Sequence, residues 1–289
     1  MLGFGQLCIM VGYDSESFIL ESVIHSIHER NPEKVSQYAG YYGQAVIFCA
    51  YMTTCLFAPS ILHISTPKLL LIFSAISYTL FPMGFLFFNA HFYFFSAVLL
   101  GAGTSFFYLG MGSYLSQHST RETIESNVSI SWSVGCCSLI LGAGILAGIT
   151  SFSAQDTPPT VIHNSTEFVE HERRYSNNEI YPLIFIISFF CGISDCCING
   201  ARSVICTIVM PQRRAQAFSV TRMYHAAACM TVFFFSPIVP LYIYTLVLPT
   251  LSIASTLLFF HVVDNTHVME RKLTEQVNME KMRKIIEQI

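Results

Sequence analysis

Asp195, Asn199 and Arg202 lie four and three residues apart inside the apolar run FFCGISDCCINGAR. On a helix, residues at these spacings share one face, so the three form a polar stripe two turns long. Their chemistry is that of a carboxylate and a guanidinium with an amide placed to bridge them. The first apolar run carries a second stripe: Asp14, Ser17, Glu21 and His25 fall at spacings of three, four and four, while Phe18, Ile19 and Ile24 keep the other side apolar. Counted from Tyr181 at ~1.5 Å per residue, Asp195 sits about 21 Å into a hydrocarbon layer, past its midplane. A charge at that depth costs at least ~2.5 kcal/mol, so it must face a partner or water and not lipid. Two such stripes predict an internal aqueous cavity lined by both, with the acids as ion or proton sites. The alternative is a set of hydrogen bonds that only cross-link helices, each worth about 0.6 kcal/mol, and the two readings can coexist.

The rest of the chain offers no competing chemistry. Ser and His residues are scattered, no nucleophile elbow occurs, and no helix carries His/Glu spacing for a metal. Cys136-Cys137 and Cys196-Cys197 lack zinc-ligand spacing. The ten cysteines all fall in or beside apolar runs and read as small apolar fillers. The expectation is a protein that is not an enzyme, with no cofactor, no metal and no nucleic-acid partner. The net charge of −3 includes no basic patch suited to nucleic acid.

The elements that must position these residues follow from composition. Of 289 residues, 53% are hydrophobic and only 11% charged, against about 25% charged in ordinary soluble domains. Such a chain cannot keep its surface wet, so its natural partner is the lipid bilayer. Apolar runs of roughly 20 residues occur near Leu2–Ile24, Gly40–Ile64, Leu69–Phe88, Phe92–Leu115, Val128–Thr150, Tyr181–Val204, Phe218–Val239 and Tyr242–Val263. They are too long and too uniformly apolar for barrel strands. The expected fold class is therefore all-α, a polytopic transmembrane helix bundle with about eight spans. Residues 1–150 make an amino-terminal bundle of five spans and 181–263 a carboxyl-terminal bundle of three. Between them, 151–180 has the Pro, Ser, Asn and charge content of a solvated extracellular or lumenal loop. Residues 264–289 read as a cytosolic amphipathic tail, with Met279, Met282, Ile286 and Ile289 at helical spacing.

Basic residues set the orientation. With both termini cytosolic, the inner loops and tail hold Lys68, Arg121, Arg213, Arg214, Arg222, Arg271, Lys272, Lys281, Arg283 and Lys284, against Arg30, Lys34, Arg173 and Arg174 outside. The sequon Asn164-Ser165-Thr166 then falls outside, where it can be glycosylated, and Asn127-Val128-Ser129 falls inside. The host membrane is the plasma membrane or an endomembrane. Glycines at 101, 103, 110 and 112, and at 142, 144 and 148, read as packing surfaces, with Gly144 and Gly148 at small-xxx-small spacing. Pro59, Pro82, Pro237 and Pro249 mark kinks or breaks.

LGFGQLCIMVGYDSESFILESVI, AGYYGQAV, ISTPK and GMGSYLSQHSTRETIESNVSISW resemble the amino-terminal half of the Unc-93-like family, a branch of the major facilitator superfamily. GISDCCING and AFSVTRMYHAAA look like that family's tenth and eleventh spans. The resemblance implies a truncated major-facilitator-type fold that lacks the sixth to ninth of twelve spans. It also implies that Asp14, Tyr108 and Asp195 face a central cavity, and that His225 stands where relatives tend to have glutamine. The site candidates are thus Asp14, Glu21, Tyr108, Asp195, Asn199, Arg202 and His225.

Three functions are compatible with this pattern. The leading one is a transporter-like protein that moves an unknown small solute. A second is a non-transporting accessory subunit partnered with another membrane protein, a channel or a receptor, because the family resemblance includes regulators of both kinds. The third is an incomplete splice form without independent activity.

Overall fold

A computed structural model describes residues 2–85, 89–120, 122–156, 186, 189–206 and 213–287. Among these residues all regular structure is helical, as the composition predicts. The helices are α1 (Leu2–Arg30), α2 (Ala39–Ile64), α3 (Pro67–Met83), α4 (Ala90–Gln117), α5 (Ile124–Asp156), α6 (189–206), α7 (Arg214–Phe235) and α8 (Leu241–Glu287). The chain divides into two units, Met1–Phe234 and Phe235–Ile289.

Local signals explain where helices begin. Thr66 accepts from the Leu69 N–H at 3.4 Å, with Pro67 in the first turn of α3, where its missing N–H costs nothing. Asn89 Oδ1 accepts from the backbone N–H groups of His91 (2.9 Å) and Phe92 (3.4 Å) and caps α4.

Within the first unit α4 is the hub, packed against both α2 and α3, while α1 pairs with α5. Glycines make this possible. Gly101 faces α2, where a Cβ would run into the Ile47 carbonyl oxygen and the Ala50 side chain. Gly103 is turned by about 200° on the helix and faces Ser77 of α3. Gly110 meets Leu70 and the Pro67 carbonyl. The packing reading of these glycines holds. It fails at Gly148, where nothing lies within 4 Å of an added Cβ. On α5, Gly142 is pressed against Ser15 of α1 and Gly135 against the Gln6 side chain, and both let the helices approach. Tyr51, Phe81, Ile24, Ile47 and Leu100 fill the interior at 2% exposure or less. Outward-facing Leu56, Phe57, Ile72, Ile76, Phe95 and Ile149 are more than half exposed. Apolar side chains fill the interior and also cover the outside, which is the pattern of a protein solvated by lipid.

Among the described residues four helical segments are long and apolar enough to cross a membrane: Ala39–Ile64, Ala90–Gln117, Ile124–Ile149 and Tyr242–Asn265; Pro67–Met83 is apolar but shorter. In α1 and α7 the polar residues, among them Asp14, Glu16, Glu21 and Arg222, interrupt the apolar run. The chain is a multi-pass membrane protein.

Two boundaries differ from the sequence expectation. α5 continues to Asp156, into the stretch read as the start of the loop, and the remainder of that loop, Asn164 included, lies outside the described residues. In the second unit, α8 runs through Val263 to Glu287 without a break, so the last span and the tail are one helix. No Gly or Pro follows Pro249, and nothing in the backbone chemistry stops the helix.

Candidate functional site

The polar stripe on α6 forms as its spacing predicts. Asn199 Nδ2 donates to Asp195 Oδ1 at 2.5 Å and to the Asp195 carbonyl at 2.9 Å. Arg202 donates through a terminal guanidinium nitrogen to Asn199 Oδ1. The amide is therefore the bridge between acid and base, and at 2% exposure it is the most buried member of the stripe. The other Asp195 oxygen accepts from Cys136 Sγ on α5 at 3.5 Å. Burying a full ion pair is expensive unless remaining donors and acceptors are satisfied. Asp195 is itself exposed, so the burial falls on Asn199 and on the half-buried Arg202, whose Nε stays without a hydrogen-bond partner among the described residues.

On α1, Asp14 reaches α5, where Ser138 Oγ donates to its carboxylate at 2.5 Å. Asp14 and Asp195 thereby come to one cavity of about 320 Å³, also lined by Tyr108 and His225. Its walls come from all of α1 to α7, within the first unit. Tyr51 and Tyr108 stack with ring centres 6.0 Å apart, and Tyr108 stacks on Trp132 at 6.0 Å. On α7, His225 Nε2 lies 3.6 Å from Cys229 Sγ.

Glu21, the other acid of the first stripe, does not line this cavity. Its carboxylate lies against Gly40, at the start of α2, and Glu21 Oε2 is buried without a hydrogen-bond partner among the described residues. His25 pairs with Glu29 at 3.4 Å. The face of α1 is continuous in sequence, but its lower half meets a different neighbour.

Two further residues escape the sequence reading. Arg222, counted among the cytosolic basic residues, is 6% exposed and lies with its guanidinium carbon 3.6 Å from the Tyr108 ring centre and 5.5 Å from that of Trp132. A desolvated cation on an aromatic face is worth about 2 kcal/mol. The signal was present, because Arg222 lies inside the run beginning at Phe218 and three residues before His225. Below this layer only a void of about 20 Å³ remains, lined by Met111, Leu115, Val128, Phe218 and Arg222 together with Tyr108 and Trp132. That is room for about one water. Tyr108, Trp132 and Arg222 thus form a partition between the large cavity and the α4–α5 turn. The second missed residue is Glu16. Its Oε1 is buried without a partner among the described residues, and it lines a separate apolar cavity of about 280 Å³ with Leu20, Pro82 and Ile145. Glu16, Ile19, Leu20 and Val23 share a helical face, so the side of α1 read as apolar carries an acid.

The ten cysteines are free thiols. Among the described residues no group of three or more His, Cys, Asp or Glu side chains converges as metal ligands. The arrangement can therefore hold a solute by charge and aromatic surface.

The family model described as ion channel regulatory protein UNC-93 matches residues 31–181 and 164–260. No curated protein and no solved structure matches the chain.

Proposed function

The chain belongs to the family described as ion channel regulatory protein UNC-93, and from that premise we propose that it is a membrane-embedded regulatory subunit whose partner is an ion channel in the same bilayer. The observation that carries this reading is the family match, which covers α2 to the membrane-spanning part of α8. Exposed Phe190, Ile198, Val220 and Tyr224 on α6 and α7 support it, because they leave apolar surface for a membrane partner. The test is co-expression with a panel of potassium channels, reading current density and affinity capture together. A change in current with co-purification supports the subunit. Unchanged currents and no captured channel across the panel count against it.

Transporter-like handling of a small solute is the second reading, and the cavity between Asp14 and Asp195 is the observation that favours it. In both readings the helices follow a major-facilitator-type arrangement with spans six to nine missing, similar within the family to the type called major facilitator superfamily domain-containing protein 11. Both termini face the cytosol, and Asn164 carries a glycan while Asn127, whose Nδ2 donates to Ser119 at 2.8 Å, does not. Glycosidase-sensitive gel mobility lost in Asn164→Gln and kept in Asn127→Gln is the expected pattern. The opposite pattern would invert the topology.

A further inference from the structure

The walls of the large cavity are unequal in what they offer a ligand. Acceptors dominate. Asp14 and Asp195 both line it, and the hydrogen bond the structure gives the Asp14 carboxylate is to a neutral hydroxyl, that of Ser138. Gln6, 3% exposed, also lines it, and Gln6 Oε1 has no hydrogen-bond partner among the described residues. Tyr51, 1% exposed, presents a hydroxyl in the same condition. An unpaired buried polar atom costs roughly 1–3 kcal/mol, so Gln6 and Tyr51 are held ready for a group that is not part of the chain.

The cations are turned elsewhere. Arg202 is engaged by Asn199 and Arg222 lies on the far face of Tyr108, and neither lines this cavity. Besides the acids, Gln6, the small polar side chains of Thr104 and Ser138 and the imidazole of His225, much of the wall is aromatic. Tyr13 meets Tyr78 edge-on at 5.6 Å, and Tyr51, Tyr108 and Trp132 continue the wall as a stack. Carboxylates plus ring faces attract organic cations, whose ammonium group can pair with an acid while their hydrocarbon packs on the rings. A bare metal ion needs converging oxygen ligands, and these acids do not come together in such a group. The volume of about 320 Å³ lies at the small end of the ~300–1,000 Å³ range of ligand pockets.

We propose that the cavity between Asp14 and Asp195 is a binding site for a small organic cation, an aryl-alkyl or quaternary amine, with the ammonium group at Asp14 and the hydrocarbon against Tyr51, Tyr108 and Trp132. The site stands apart from the regulatory reading: occupancy is measured on the isolated chain, whatever channel it accompanies.

The experiment uses the full chain in lipid nanodiscs and calorimetric titration with phenethylammonium and tetramethylammonium. Phenethyl alcohol and benzoate serve as neutral and anionic comparisons. Saturable binding of the cations at least 30-fold tighter than of either comparison is expected. Asp14→Asn lowers cation affinity about 30-fold, or ~2 kcal/mol. Tyr51→Phe, which keeps the ring and removes the orphaned hydroxyl, lowers it severalfold or less and guards against a folding defect in the acid variant. Equal binding of phenethyl alcohol, tighter binding of benzoate, or unchanged affinity in Asp14→Asn overturns the proposal.

Discussion

The α2–α3–α4 cluster and the α6–α7 side of the first unit are built from the same apolar alphabet and held by different forces. In the cluster, backbones touch through Gly101, Gly103 and Gly110, and most of α4 between Tyr93 and Ser113 is buried. On the other side, α6 leaves Phe189, Phe190, Ile193 and Ile198 outward and contributes Asn199, Ser203 and Cys206 to the interior. Lipid is as apolar as Leu, so burying hydrophobic area does little to associate helices in a membrane. Close packing and satisfied polar groups do that work. The cluster uses the first device and the α6–α7 side the second. Shape specifies the former, and a chain of hydrogen bonds and the contacts of Arg222 with two aromatic rings specify the latter.

The contrast breaks most visibly at Gly101. Gly101→Leu must push its side chain into the Ile47 carbonyl, which belongs to backbone and cannot give way. A destabilisation at or beyond the top of the ~1–3 kcal/mol overpacking range is expected, read as loss of the monodisperse peak in detergent. An unaltered melting temperature would mean that α4 is not the hub. Next in size is Arg222→Ala, which removes the contact with Tyr108 and costs about 2 kcal/mol. Arg222→Lys should recover part of it, since the charge survives but the planar stacking does not. Thermal unfolding of the two variants separates these outcomes.

Gly148→Ala is the control of opposite sign. The same residue type, with open space around it, should accept a methyl group with a gain of up to about 1 kcal/mol from helix propensity. A loss there would reveal a partner packed on the end of α5. Smallest in stability is Asp195→Asn, expected within about 1 kcal/mol of the native chain, because the amide can still bond Asn199. Surface delivery should stay normal while the channel effect, or flux in the second reading, disappears. Intact activity with Asn would make the acid a structural bolt.

Much of the fold was legible because lipid imposes few solutions: length and apolarity of the runs located the helices, although α8 continues past Val263 to Glu287 and the expected start of α6 lies outside the described residues. The Asp195–Asn199–Arg202 bridge was legible for a similar reason, since helical spacing alone brings those side chains together. Contacts between helices were not. Glu21 shares a face with Asp14, yet α1 meets α5 at one level and the start of α2 at another, and no period in the sequence encodes which neighbour lies where. Arg222 was misassigned because a cation near the end of an apolar run is ordinarily a loop anchor. Only the placement of Tyr108 and Trp132, on two other helices, turns it inward. Gly148 has the right spacing and no neighbour.

α8 has a mechanical consequence. Its 47 residues extend about 70 Å at ~1.5 Å per residue. The apolar portion Tyr242–Asn265 accounts for roughly half of that. The remainder, about 33 Å of helix, is a rigid arm, since an unbroken helix transmits tilt without loss. A lean of only about 10° at the bilayer displaces the far end by about 6 Å over that length. A small tilt of α8 inside the membrane would thus be amplified, at its far end, into a movement on the scale of a side chain's reach.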